Sequence, residues 1–170
     1  MNWNLLKRII FEDNILNMGM FSTKNKQLFP KEDADEIAKC IQSAEKDTSG
    51  EIRIYIESHC TYVNAMDRAW EIFLKLKMEK TLLRNAVLIY IAKVDKQVAI
   101  IGDEGIHEKV KGIDIWGQSL QVLKMHFKNG AFKEGLRSVV ENVGQELKKH
   151  FPATSSVNHN EIPDEIVFGN

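Results

Sequence analysis

Two strand-like segments separated by one helix-like segment limit what this chain can become more than anything else in it. Residues 51–58 read Glu-Ile-Arg-Ile-Tyr-Ile-Glu-Ser, so Ile52, Ile54 and Ile56 alternate with Arg53, Tyr55 and Glu57. That alternation predicts a strand with one fully buried face. Residues 86–92, Ala-Val-Leu-Ile-Tyr-Ile-Ala after Asn85, form an unbroken apolar run and predict a central strand covered on both faces. Between them, over 64–78, Ala65, Ala69, Ile72, Phe73 and Leu76 recur at helical spacing, with Trp70 flanking. Strand, helix and strand in this order make a right-handed crossover between parallel strands.

The neighbouring segments complete the pattern. Residues 31–46 predict a helix with Ala34, Ile37, Ala38, Ile41 and Ala44 on one stripe, entered through Pro30 and broken by Asp47-Thr48-Ser49-Gly50. Lys93–Lys96 is a tight polar turn, and Gln97–Ile101 returns as a short antiparallel strand. His107–Lys111 predicts one helical turn. Longer helices follow over Asp114–Lys128 and Phe132–His150, with a bend at Gly130. The chain has 170 residues, which suits one domain. The organisation expected is an N-terminal extension over 1–26, an α/β domain over 27–152 and a tail over 153–170 packing on or near it.

Charge and composition exclude several classes of function. Lysine and arginine total 23 against 24 acidic residues, so no global field draws in nucleic acid or an anionic membrane. Cys40 and Cys60 fall in no metal-binding or CxxC spacing and read as free thiols of a reducing compartment. No stretch approaches the ~20 apolar residues of a spanning helix. Lys7-Arg8 and Glu12-Asp13 interrupt every apolar run of the N-terminus, which leaves no signal-peptide core. The expectation is therefore a cytoplasmic protein. Residues 1–21 are amphipathic at best. They read either as an upstream extension, with translation starting at Met18 or Met20, or as an accessory helix packing on the domain or a partner.

Topology gathers a candidate site. Two parallel strands open at the same edge of their sheet with Glu51 and Asn85, and the antiparallel third strand returns Gly102-Asp103-Glu104 to that edge. Asp114 opens the next helix a short loop away. Carboxylates and an amide carbonyl are hard oxygen ligands, suited to Ca²⁺ or Mg²⁺. Bringing the carboxylates together calls for a compensating cation. Arg84 reads as the only basic residue close to this edge, and Gly102 and Gly105 as glycines that let the backbone turn tightly and offer carbonyls. The alternative is a solvated rim in which Asp114 caps a helix. At the opposite edge Ser58, His59 and Asp67 do not have the spacing of a catalytic triad, and no GxSxG, phosphate-binding loop or HExxH motif occurs.

Four segments in order carry a family resemblance: Ser49-Gly50-Glu51-Ile52; Arg84 to Ile91; Gly102-Asp103-Glu104-Gly105-Ile106; and Phe127-x-x-Gly130-x-Phe132-x-x-Gly135-Leu136. Together they resemble the TPM-domain family over roughly residues 27–168. The tail Asn160-Glu161-Ile162-Pro163-Asp164-Glu165-Ile166 resembles cytoplasmic bacterial relatives. Ala86 departs from the family's usual glycine, and the signal peptide and membrane tail that many relatives carry are not expected here. The resemblance implies a three-layer α/β/α sandwich around a small mixed sheet, and a divalent metal on an acidic surface site. The first function expected is binding of Ca²⁺ or Mg²⁺ by Glu51, Asn85, Asp103, Glu104 and Asp114, with Arg84, Gly102 and Gly105 as ligand-binding neighbours. The domain would then act through a protein partner or small ligand. The second, implied by the plant branch, is a divalent-metal-dependent phosphatase of broad specificity, with no catalytic residues assigned.

Residues 1–21 have no counterpart in the pattern that carries the resemblance. A chain starting at Met20 should melt within about 2 °C of the full chain, a shift worth no more than roughly 1 kcal/mol at this size. A large loss of thermal stability in a calorimetric scan would make the segment integral to the fold.

Overall fold

A computed structural model describes residues 29–154 and 161–169. The expected extension over 1–26 and the first part of the tail, 155–160, lie outside the described residues. Five helices and four strands follow in the order α1 (Lys31–Glu45), β1 (Glu51–Glu57), α2 (Ala65–Lys75), a 3-10 turn (Met78–Lys80), β2 (Ala86–Ala92), β3 (Gln97–Gly102), α3 (Glu104–Lys109), α4 (Ile115–Lys128), α5 (Phe132–His150) and β4 (Val167–Phe168). The strands form one mixed sheet in the order β3-β2-β1-β4. Strands β1 and β2 pair in parallel from Glu51↔Ala86 to Glu57↔Ala92. Strands β2 and β3 pair antiparallel, closing with Val87↔Gly102.

The sheet lies between two helical layers, giving the α/β/α sandwich. On one face Ile52, Ile54 and Ile56 join Val87, Ile89 and Ile91 beneath α1, α4 and α5, with Ile41, Leu123 and Val140 among the residues buried there. On the other, Tyr55, Leu88 and Tyr90 meet Ala69, Ile72 and Phe73 of α2, Met78 of the 3-10 turn and Ile162 of the tail. Gly50 lets α5 approach the start of β1 closely: a Cβ there would fall 2.6 Å from Leu147 Cδ2.

Two expectations are corrected. All seven residues of β1 are buried, charged ones included, although alternation predicted one buried face. The second face closes because α2 and the tail cover Arg53 and Glu57 as well as Tyr55. The tail also supplies a strand that the sequence pattern did not show. Val167 and Phe168 pair in parallel with Tyr55 and Ile56, so β1 is an interior strand. A two-residue strand is too short to show any period, which is why β4 escaped a reading by pattern. Smaller differences sit at element ends: α3 begins at Glu104 rather than His107, and Asp114 caps α4 rather than belonging to it.

The tail buries Ile162 and Ile166, one on each side of the sheet. A fully buried aliphatic side chain contributes roughly 1.5–3 kcal/mol. A chain ending at residue 160 should therefore melt at least about 6 °C lower, at the 2–4 °C per kcal/mol usual for this size. Circular dichroism melts of the two chains test this. Equal melting temperatures would mean that the tail is no part of the core.

Candidate functional site

Ala86 ties the strand-start edge together. It pairs with Glu51 across the parallel strands, and its carbonyl accepts the Asp103 N–H at 2.9 Å. The topology thus delivers Glu51, Asn85 and Asp103 to one edge, but their surroundings differ. Arg84 crosses from the 3-10 turn to β2 in the left-handed region at φ 52°. That conformation costs a residue with a Cβ roughly 1–2 kcal/mol. Two sets of hydrogen bonds offset the cost. The Arg84 carbonyl accepts from Gly105 N–H at 2.7 Å and Ile106 N–H at 3.3 Å. Its guanidinium forks onto the buried Asp103 carboxylate through Nε at 2.6 Å and an Nη at 2.8 Å.

The compensating cation that the clustered carboxylates called for is therefore partly built in, since Arg84 neutralises Asp103. Asp103 also caps α3, accepting from the Glu104 N–H at 2.8 Å. Glu104 is exposed, with Arg84 3.9 Å away. Asp114 is exposed and caps α4 through the Gly117 N–H at 3.1 Å. Gly102 and Gly105 are required by close approach, not by the tight turns expected of them. A Cβ on Gly102 would meet the Trp116 ring at 2.6 Å, and one on Gly105 would strike the Leu83 carbonyl. Asn85 is fully buried. Its amide N–H donates to Ser49 Oγ at 3.4 Å, while its Oδ1 has no hydrogen-bond donor among the described residues. Among the described residues no three acidic, histidine or cysteine side chains converge as a ready metal cluster.

Glu51 serves the tail. Its carboxylate accepts the N–H groups of Glu161 at 3.0 Å and Ile162 at 3.2 Å. Arg53, one inward step along β1, donates to the Pro163 carbonyl. Arg84 is thus not the only basic residue at this edge, as the sequence reading had it: Arg53 is a second, hidden there by its place in a strand. Glu45, at the end of α1, accepts the Ile52 N–H at 2.6 Å. Burial pushes its carboxyl up to about 9, with the Glu51 and Asp164 charges adding to the effect. Burial likewise raises Glu51 to about 7, partly countered by the two tail amides.

The opposite edge is arranged around Glu57, fully buried and held by Arg68 Nε at 2.9 Å, Arg68 Nη at 2.7 Å and the Tyr90 hydroxyl at 2.6 Å. Hydrogen bonding to Glu57 raises the Arg68 pKa. His59 bonds Asp95 at 2.9 Å and the Asp67 N–H bonds Asn64, so Ser58, His59 and Asp67 are not linked as a relay. Cys40 and Cys60 are free thiols, both half-buried.

A raised carboxyl pKa fixes the sign of the pH response. Glu45 and Glu51 hold protons in the folded chain that the unfolded chain releases near pH 4.5. Their contribution to stability is full below that pH and is lost as pH rises through about 7 for Glu51 and about 9 for Glu45. The melting temperature should fall between pH 5 and 9, and Glu45→Gln should flatten the fall because its carbonyl can still accept the Ile52 N–H. Parallel curves for the two proteins would remove Glu45 from the explanation.

The TPM domain family model matches residues 22–146. The solution structure of the BA42 protein from the psychrophilic bacterium Bizionia argentinensis is similar, with a TM-score of 0.79 and 38% identity over 87% of this chain and 100% of that one. No curated protein sequence matches. The match to the family model over most of the chain, with the agreement in fold and sequence to BA42, shows that this chain belongs to the TPM domain family.

Proposed function

We propose that this protein is a divalent-cation-binding module whose strand-start edge takes Ca²⁺ or Mg²⁺ and that acts through a partner or ligand rather than by catalysis. The observation that carries the reading is Asn85 Oδ1, a fully buried carbonyl oxygen without a donor among the described residues, at the edge where Asp103 and Glu104 stand. An unsatisfied buried acceptor costs about 1–3 kcal/mol, and a hard cation is one group that would satisfy it. The donors there are all oxygens: Asn85, Asp103 and Glu104, with Asp114 opening the next helix, and Glu51 once the tail amides release it. They fit a hard ion better than zinc or copper. Arg84 competes for Asp103, so cation binding would require its fork to open. Its side chain is 36% exposed, which leaves the guanidinium room to swing into solvent. Binding is favoured over chemistry because Arg53 and Arg84, the cations at this edge, are both engaged by the protein itself.

A ligand bound only by the folded state stabilises it by about 2.7 kcal/mol at a hundredfold excess over Kd. Millimolar Ca²⁺ or Mg²⁺ should raise the melting temperature by several degrees over a chelator control. Asp103→Asn keeps the α3 cap but loses the ion pair with Arg84, so its unliganded form should melt lower. The quantity to compare is the cation-dependent shift, which it should lose. Arg84→Gln should keep or enlarge that shift by removing the competitor. If no cation moves the wild-type transition, the edge is a solvated rim. If the shift survives Asp103→Asn, the ion binds elsewhere. Cation-dependent hydrolysis of para-nitrophenyl phosphate, lost in Asp103→Asn, would turn the reading toward a phosphatase.

A further inference from the structure

At the far end of the sheet Ile56 and Ile91 floor a cavity of about 380 Å³, walled by Phe29, Phe127, Phe132 and Leu136. The strand-start edge has the opposite relief, with leucines standing out into solvent. Leu82 is 70% exposed and Leu83 40%, side by side in the loop that delivers Arg84 and Asn85. Leu74, the last residue but one of α2, is exposed as well. Turn positions normally carry polar residues. The loop is also pinned rather than frayed. Lys77 and Arg84 hold left-handed backbone at φ 58° and 52° near its two ends, and Met78 and Thr81 are buried. The Lys80 N–H donates to the Lys77 carbonyl at 3.1 Å, the Leu82 N–H to the Glu161 carboxylate at 3.2 Å and the Arg84 N–H to the Thr81 carbonyl at 3.1 Å.

Positive charge surrounds these leucines. Residues 74–84 carry Lys75, Lys77, Lys80 and Arg84 against Glu79 alone, and the three lysines are exposed. Exposed leucines among cations are the pattern of a surface that lies on an anionic bilayer, where apolar side chains enter the headgroup boundary and the cations meet lipid charge. A bilayer closes around a projecting side chain of any shape, whereas an acidic protein would need a cavity fitted to two adjacent leucines. Without a bound cation the edge resists such a surface. Glu104 and Glu161 are exposed there, and the Arg84 guanidinium is spent on Asp103. A divalent ion reverses the balance: it neutralises carboxylates and returns Arg84 to solvent as a fourth free-standing cation of the loop.

Building on the cation site argued above, we propose that the strand-start edge docks on anionic phospholipid surfaces when the divalent cation is bound. Leu82 and Leu83 enter the headgroup boundary, and Lys75, Lys77, Lys80 and Arg84 face the lipid phosphates.

Co-sedimentation of the full-length protein with vesicles tests this. Mixed phosphatidylcholine–phosphatidylserine vesicles with millimolar Ca²⁺ should bind it on the order of tenfold more tightly than the same vesicles with chelator, or than pure phosphatidylcholine vesicles with Ca²⁺. Leu82→Ser combined with Leu83→Ser should lose about tenfold or more of that binding while keeping the Ca²⁺-dependent thermal shift measured without lipid. Lys75→Gln combined with Lys80→Gln should weaken binding to the mixed vesicles on the order of tenfold. A thermal shift with Ca²⁺ but no sedimentation overturns the docking and leaves the cation site standing. Absence of both removes the cation site and the docking with it. Equal binding with Ca²⁺ and chelator, equal binding to the two kinds of vesicle, or unchanged binding by the double leucine variant each overturns the docking. So does binding of polyglutamate in place of vesicles, which would make the surface one for an acidic protein.

Discussion

Burial of the charged residues of β1 is the constraint on which the rest of the architecture depends. Glu51, Arg53 and Glu57 sit on a strand with helices on one side and a helix plus the tail on the other, and none of them reaches water freely. A buried charge is tolerated only when it is paired or hydrogen-bonded. Each therefore dictates a neighbour. Glu57 requires Arg68 and Tyr90, which fixes the rotation of α2 over the sheet. Glu51 requires donors at the strand start, and the backbone of Glu161 and Ile162 provides them. Arg53 takes the next carbonyl of the same segment. The tail is held by the polar residues of the strand as much as by its own isoleucines. Replacing one such partner leaves a buried charge uncompensated, so these positions are less tolerant of change than the apolar ones around them.

The sheet's two ends differ in chemical character for a topological reason. Parallel pairing of β1 with β2 puts both strand starts at one end and both strand finishes at the other. The starts follow polar turns that carry Ser49, Arg84 and Asn85, and the return of β3 adds Asp103 and Glu104. The finishes run between α1 and the α4–α5 bend, where phenylalanines meet. An oxygen-rich edge and an apolar cavity are thus consequences of one strand order.

Much of this was legible in the chain itself. The apolar run of β2, the alternation of β1 and the stripes of α1, α2 and α5 are local signals, and period alone separates strand from helix. The meeting of Glu51, Asn85 and Asp103 at one edge followed from connectivity. What was not legible is what each residue does once there. Alternation in β1 looks the same whether Arg53 and Glu57 face water or an interior that supplies partners. The partners came from α2 and a segment more than a hundred positions away in the chain. The Arg84–Asp103 pair depends on a left-handed backbone at Arg84, which no rule assigns to arginine. The cavity is likewise formed by four separate segments and has no motif of its own.

The shortness of β4 bears on how this protein keeps to itself. It covers two residues of a seven-residue strand, and the other described tail residues, from Glu161 on, make no further ladder pairs with β1. Were that segment to lift away, β1 would become the rim of the sheet, rich in isoleucine and able to recruit the strand of another molecule. The newly opened rim would not be uniformly apolar, however. It would present Glu51 and Arg53, two positions apart and of opposite charge, freed from the tail backbone that now engages them. Charges pointing inward along a rim are among the devices that discourage indiscriminate strand addition and fibre growth. The residues that fasten the tail in place thus also guard against aggregation when it is absent.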